Sequence, residues 1–300
     1  MKKAIGIDIG GTKIAAAVIS ETGDLLNRLV IESDPSDREK MFNRVVMALE
    51  QVLKDSSYTV TDMEGIGVGV PGKVDREQGI AVFQNNLPWA KFPLSARLRE
   101  QFGLQRIMID NDVYMAAFAE WRAAGAKKDE TFVYVTISTG ISCSIIHNGS
   151  FFRGAGFAGE LGLIPIFSNA DKKLERLEKV SAGPAIEKFV RKELQVANLS
   201  TKDVFERFQD GVREYQPIID EVTDNWVQAL YSISCLLDPH KVVFGGSVIA
   251  NNPFLLDIIK EKLKIYMIPE QQHLLNHMSI SHLKQNNGVV GAGLRVFERN

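Results

Sequence analysis

Cysteine is nearly absent: the 300 residues contain two, Cys143 and Cys235. Two cannot build a disulfide framework or a cysteine-based zinc site, and both stand among apolar neighbours, so two buried free thiols are expected. No uninterrupted apolar run approaches the length needed to cross a bilayer. The opening MKKAIGIDIGG starts with lysines, as a secretory leader does, but Asp8 and the paired glycines interrupt its apolar run at once. An excess of one charge is also missing. With 35 Lys and Arg against 37 Asp and Glu the formal net charge is −2, which gives no electrostatic basis for binding nucleic acid or an anionic membrane surface. Together these absences predict a soluble, cytoplasmic protein with no nucleic-acid and no membrane partner. No Pro/Ser-rich linker or low-complexity tract divides the chain. Hydrophobic residues are plentiful, at 45%, enough to fill the core of two ordinary domains or one large one.

One pattern occurs twice. AIGIDIGGTKIAAAVISETGDLL, residues 4–26, reads as two apolar strands around the tight turn Gly10-Gly11-Thr12, then a turn at Thr22-Gly23-Asp24 into a third strand. FVYVTISTGISCSIIHNGSFF, residues 132–152, repeats that order with turns at Ser138-Thr139-Gly140 and Asn148-Gly149. Asp8 and Thr136 fall at equivalent places before the first turn. A recurring hairpin unit is what a duplicated α/β domain leaves behind. Helices and strands alternate after each copy: DREKMFNRVVMALEQVLKD, GIGVGV, RIMID and VYMAAFAEWRAAG after the first. After the second come helices near 184–195, 202–209 and 213–236, the strand KVVFGG, another helix, the strand HMSISHL and a last helix from about Gly288. The pattern predicts an α/β fold of two lobes with a ligand cleft between them. The first is a small N-terminal lobe over 1–115 and the second a larger C-terminal lobe over 116–287. The boundary is expected in the helix around 112–125, as a hinge, and the last helix (about 288–300) is expected to return to the first lobe.

The chemistry-bearing residues sit at strand ends. Gly10-Gly11-Thr12-Lys13 combines close backbone approach, consecutive N–H donors, a hydroxyl and a cation, which suits polyphosphate. It is neither a Walker loop nor a dinucleotide fingerprint, because the turn leads into a strand and the spacings differ. Ser138-Thr139-Gly140 and the FGGS stretch at 244–247 are turns of the same kind. A lone GGT would be an ordinary hairpin, but three such turns at corresponding strand ends favour a nucleotide cleft. Asp8, one strand position from the first turn, either makes a turn hydrogen bond or serves a magnesium ion. IDNDVYMAAF puts Asn111 and Asp112 where a strand ends and a helix begins. Both are favoured N-cap residues, and the same position keeps a carboxylate ionised and able to take a proton from an attacking hydroxyl. GVGVPGKVD (67–75) and NNLPW (85–89) place glycine, proline and amide groups near another strand end, with Trp89 expected to pack. In GFAGELGLIPI a single carboxylate, Glu160, stands among glycines and aliphatic residues, where burial is costly without a hydrogen-bonding partner.

The stretches DIGGTKI, GVGVPGKVD, NNLPW, DNDVYMAA, TISTGISCSIIHNGSFFRGAGFAGELG, LEKVSAGPAI and VFGGSVI occur in the order found in the ROK family of sugar kinases and repressors. Over nearly its whole length the chain resembles that family. The resemblance implies two lobes of the ribonuclease-H/actin-like type, ATP and Mg2+ as cofactors, and transfer of the γ-phosphoryl group to a sugar hydroxyl. Carried over by position, Asp112 resembles the catalytic base and Asn111 a ligand of neighbouring sugar hydroxyls. Glu160 and Glu178 resemble the two sugar-binding glutamates, and Gly72 and Lys73 match a turn that borders the sugar. Gly10, Gly11, Thr12 and Lys13, with Thr139 and Gly140, would cradle the phosphates. Gly245 and Gly246 would flank the adenosine, and Asp8 would act on magnesium, directly or through water.

Two departures bear on function. Family members commonly carry a histidine three residues after the first glutamate, followed by a cysteine cluster that binds zinc. Here the position is Leu163, and residues 164–177 hold neither cysteine nor histidine, so no zinc is expected. The lost histidine also removes a usual contact to the anomeric end of the sugar. Ala182, where serine is frequent, is a minor exchange. The resemblance implies transfer to the 6-hydroxyl of a glucose-type hexose. A β-glucoside or N-acetylmannosamine is the alternative substrate, and a homodimer is the family expectation. A sugar-sensing repressor would carry an N-terminal helix-turn-helix, for which a first strand starting at about Ala4 leaves no room.

Overall fold

The computed structural model describes residues 1–84 and 86–298. Asn85, the first residue of the NNLPW segment, and Arg299 and Asn300, at the end of the expected last helix, lie outside the described residues. In chain order the first elements are β1 (Lys3–Ile9), β2 (Lys13–Ser20), β3 (Leu25–Glu32), α1 (Arg38–Ser56), β4 (Met63–Val70), β5 (Lys73–Asp75), β6 (Ile80–Phe83), β7 (Ala90–Phe92), α2 (Leu94–Phe102), β8 (Ile107–Asn111) and α3 (Asp112–Ala123). There follow β9 (Phe132–Ile137), β10 (Ile141–His147), β11 (Ser150–Phe152), β12 (Pro165–Ser168), β13 (Lys173–Arg176), α4 (Leu177–Ser181), α5 (Gly183–Leu194), α6 (Thr201–Gln209) and α7 (Gln216–Leu237). The last are β14 (Lys241–Gly245), α8 (Ser247–Ala250), α9 (Phe254–Tyr266), β15 (Met278–Ile280) and α10 (Asn287–Arg295). Two compact units result: Met1–Ala124 with the C-terminal segment from Gln285, and Gly125–Lys284. The division therefore falls after Ala124, at the end of the stretch around 112–125 where the boundary is expected and beyond the expected lobe limit at 115/116. α3 is an unbroken helix that packs on α10, so all of it belongs to the first unit.

The first unit is built on a five-stranded sheet in the order β3-β2-β1-β4-β8, with β1, β2 and β3 antiparallel and β1, β4 and β8 parallel. Side chains alternate across a strand, and the sequence uses this to give the sheet two unlike faces. Ile5, Ile7 and Ile9 of β1 and Ile66, Val68 and Val70 of β4 enter a core shared with Met41, Phe42, Val45, Ala48, Leu49, Val52 and Leu53 of α1. That helix stripe has the 3.6-residue period of a surface helix, and Asp37 caps its start by accepting the Glu39 and Lys40 N–H groups at 2.8 and 3.0 Å. On the opposite face stand Gly6 and Asp8 of β1 and Gly65, Gly67 and Gly69 of β4. Where the glycines stand, α10 lies directly on the sheet: a Cβ at Gly67 would run into the Ala292 carbonyl. Trp89 is buried, stacks on Phe92 at 4.8 Å and donates its indole N–H to the Arg38 carbonyl at 3.0 Å. It is a packing residue of the first core.

The second unit repeats the topology in the order β11-β10-β9-β14-β15, again three antiparallel strands followed by two parallel ones. The equivalence of Asp8 and Thr136 holds in register, since Asp8 pairs with Gly69 and Thr136 with Gly245 of the parallel neighbour. The core of this unit forms around α7, whose Trp226 donates to the Ser181 carbonyl at 3.0 Å. Of the two thiols, Cys143 is buried and Cys235 exposed. The expectation of two buried thiols fails at Cys235 because it lies on the outer side of α7, beside the exposed Leu236.

Candidate active site

In the first unit the candidate residues gather at the C-terminal ends of β1, β4 and β8. The Gly10–Lys13 turn is closed by the Gly10 N–H on the Lys13 carbonyl at 2.9 Å, so the N–H groups of Gly11 and Thr12 are not used by it. Ser33 pins the turn from outside: its hydroxyl donates to the Gly10 carbonyl at 2.6 Å and its N–H to the Thr12 carbonyl at 3.0 Å. Asn86 packs against Gly11, where a Cβ would stand 2.9 Å from the Asn86 carbonyl oxygen. Neither supporting residue is marked by the motif, because both reach the turn from distant segments.

Asn111 is the N-cap of α3, and Asp112 is its first residue. The Asn111 side chain is held at both ends: Oδ1 accepts the Val113 N–H at 2.9 Å and Nδ2 donates to the Gly72 carbonyl at 3.0 Å. Gly72 adopts φ +78°, a left-handed conformation that favours glycine, and Lys73 follows on the surface. Gln84, buried and unsignalled by the sequence, donates to the Lys73 carbonyl at 3.2 Å and so fixes this turn. Asp112 Oδ1 also accepts the Val113 N–H at 2.9 Å. With capping carried by Asn111, the Asp112 carboxylate sits in the first turn of the helix.

Asp8 projects from the glycine face of β1 towards the start of α10, where a Cβ on Gly288 would lie 2.5 Å from its Oδ2. It keeps some open surface, but burial, and secondarily the charge of Asp112, push its carboxyl up to about 7. A group with a pKa near 3.8 when unfolded and near 7 when folded binds its proton more tightly in the fold. Over that interval stability falls as pH rises, and above it the curve is level. Asp8→Asn is expected to remove this slope and to leave the protein more stable at about pH 8, by on the order of 2 kcal/mol once solvent screening reduces the full difference. Urea melts of both proteins at about pH 5 and about pH 8 check this. An equal pH dependence in the variant would contradict it.

In the second unit Glu160 and Glu178 come together. Glu178, in the first turn of α4, places Oε2 3.3 Å from where a Cβ on Gly140 would stand and 3.0 Å from one on Gly162. Burial first, and the charge of Glu178 second, raise the Glu160 carboxyl above its ordinary range. The same pattern reaches Cys143, whose thiol is pushed up to about 12 by burial and then by Glu160, so it is inert near neutrality. The Glu160 loop is tied to β10, since the Gly159 carbonyl accepts the Cys143 N–H at 2.7 Å and the Ser142 hydroxyl at 3.2 Å. Glu160 is followed by a single helical turn, Leu161–Leu163, on which Leu163 is 42% exposed. Two neighbouring carboxylates with open surface are acceptors suited to the vicinal hydroxyls of a polyol.

The same unit holds a cavity of about 510 Å3 lined by Ser138, Thr139, Gly183, Glu187, Ser247 and Asn251 among others, a size typical of small-molecule sites. Gly245 and Gly246 serve close packing of β14 on β9: a Cβ on Gly245 would meet the Tyr134 hydroxyl and one on Gly246 the Ile137 carbonyl. Ser247, next in sequence, is the residue that lines the cavity. Among the described residues no group of three or more His, Cys, Asp or Glu side chains is placed to hold a metal ion.

Two units that each carry the same five-stranded order, with glycine turns at the strand ends, define the ribonuclease-H/actin-like α/β fold. The chain belongs to the ROK family, which matches residues 4–298. It is 28% identical to a glucokinase from Halalkalibacterium halodurans, over 98% of this chain and 95% of that one. It is 30% identical to an N-acetylmannosamine kinase from Yersinia pseudotuberculosis, over 98% of each. Among solved structures, the ROK hexokinase from Thermus thermophilus superposes with a TM-score of 0.81 at 28% identity, over 97% of each chain.

Proposed function

We propose that this chain is an ATP-dependent carbohydrate kinase that transfers the γ-phosphoryl group to the 6-hydroxyl of a glucose-type hexose. Membership of the ROK family and relatives that are sugar kinases support the reaction class. The observation that carries the assignment of roles is Asp112, a carboxylate in the first turn of α3 beside an Asn111 locked onto Gly72. Asn111 and the Gly72–Lys73 turn orient the sugar hydroxyls, Asp112 accepts the proton of the attacking hydroxyl, and Glu160 and Glu178 accept hydrogen bonds from other ring hydroxyls. The N–H groups of Gly11 and Thr12, which the bond closing the turn leaves out, with Thr139 and Gly140, suit the phosphates. The 510 Å3 cavity suits the rest of the nucleotide. Asp8 and Asp112 repel one another; Asp8 would hold a magnesium ion, directly or through water, and the ion would supply positive charge to offset that repulsion. Bound ATP supplies the phosphoryl group, and positioning with charge neutralisation supplies most of the rate.

A second reading concerns the anomeric end of the sugar. Leu163, exposed on the turn after Glu160, offers an apolar contact that suits a hexose carrying a substituent on its anomeric oxygen, such as a β-glucoside. Steady-state rates on glucose, β-glucosides, mannose, allose and N-acetylmannosamine separate these substrates. The main reading expects the highest kcat/KM on glucose. Preference for a β-glucoside would favour the second reading, and preference for N-acetylmannosamine would overturn both.

A further inference from the structure

β8 is the edge strand of the first unit's sheet, and a cavity of about 730 Å3 opens along it, lined by residues of that unit. Four arginines, Arg76, Arg99, Arg106 and Arg295, face two acids there, Glu77 and Asp110. In a chain with a net charge of −2 this is a local excess of guanidinium. Of the two acids, Asp110 is 4% exposed and accepts the Asn111 N–H at 2.9 Å. The arginines are also steadied. Arg99 donates its Nε–H to the Gln105 carbonyl at 3.1 Å, Arg106 donates to the Glu298 carbonyl, and Arg295 lies over the Phe118 ring at 5.1 Å. The bonds of Arg99 and Arg106 each use one N–H of the five that a guanidinium carries in a fixed fork.

Arginines along a strand edge suit either an acidic peptide added as a further strand or a compact anion. β8 is only five residues long, a short template for strand addition. The concave volume falls in the range of small-molecule sites and exceeds what a bare phosphate ion fills. The guanidinium fork matches phosphate oxygens in geometry as well as charge. We infer that this cavity is a second ligand site, apart from the candidate active site, that takes a small phosphate monoester. It goes beyond the kinase reading and does not depend on it.

Calorimetric titration of the full chain with glycerol phosphate, with glycerol as the neutral control, tests the inference. The parent protein is expected to bind the phosphate ester and not glycerol, and added salt is expected to weaken binding. Arg76→Gln and Arg99→Gln together are expected to lower affinity by about tenfold or more, with sugar-kinase activity unchanged because neither residue belongs to the candidate machinery. Should the double variant be unstable, Arg76→Gln alone decides, since Arg76 is exposed and makes no intramolecular hydrogen bond among the described residues. No binding by the parent protein, or equal affinity in parent and variants, overturns the site. Equal affinity would place the anion elsewhere, as at the glycine turns.

Discussion

Asp112→Ala is expected to lower kcat by on the order of a hundredfold or more, while the KM for sugar moves within about threefold. The asymmetry follows from the division of labour at the start of α3. Asn111 is the N-cap, with Oδ1 on the Val113 N–H, and its amide holds the Gly72 carbonyl. Removing Asp112 leaves both bonds in place, so the helix start and the Gly72–Lys73 turn survive. What is lost is the acceptor for the hydroxyl proton, which matters in the transition state far more than in the ground state. Steady-state kinetics with far-UV circular dichroism on the variant check this. A variant with near-parental kcat would remove Asp112 from the role of base, and a KM rise matching the whole loss of kcat/KM would make it a binding residue.

Gly67→Ala is expected to destabilise the first unit by about 3 kcal/mol or more, a fall in melting temperature of roughly 6–12 °C. Gly67 pairs with Gly6 in the sheet, and a Cβ there is directed at the Ala292 carbonyl, an obstacle of backbone that no side-chain rotation can relieve. α10 would have to lift from β4, and with it Gly288 from Asp8. The variant should therefore lose activity as well as stability, although Gly67 carries no chemistry. Thermal melts followed by tryptophan fluorescence measure the effect. A melting temperature within about 1 °C of the parent would show that α10 does not rest on this face as described.

Much of this was legible in the amino-acid order. Turn residues and apolar alternation marked both hairpins, and the match between Asp8 and Thr136 reappears as equivalent sheet registers. Where the chain crosses from one unit to the next was not legible in the same way. DVYMAAFAEWRAAG contains no breaker before Gly125, and what assigns α3 to the first unit is its contact with a helix far along the chain. The alternating glycines Gly65, Gly67 and Gly69 carried a signal, since glycine inside a strand marks close approach of another backbone. The partner they admit could not be named from the strand alone. At the site, Asn111, Asp112 and the glycine turns stood out by type and position. Ser33 and Gln84 did not, because single polar residues in loops carry no local pattern, and nothing in the NNLPW stretch said that its Asn86 packs on Gly11. Cys235 was misjudged for a related reason: apolar neighbours in sequence do not say which side of a helix faces water.

Sugar phosphorylation by this chain can be read from ADP release when glucose is added to the protein with ATP and Mg2+. ADP formation is expected to require the sugar, to saturate with it, and to be accompanied by a phosphomonoester on the 6-oxygen visible by phosphorus NMR. ADP formed at the same rate without sugar, or no ADP formed with any hexose or hexoside of the panel, would contradict it.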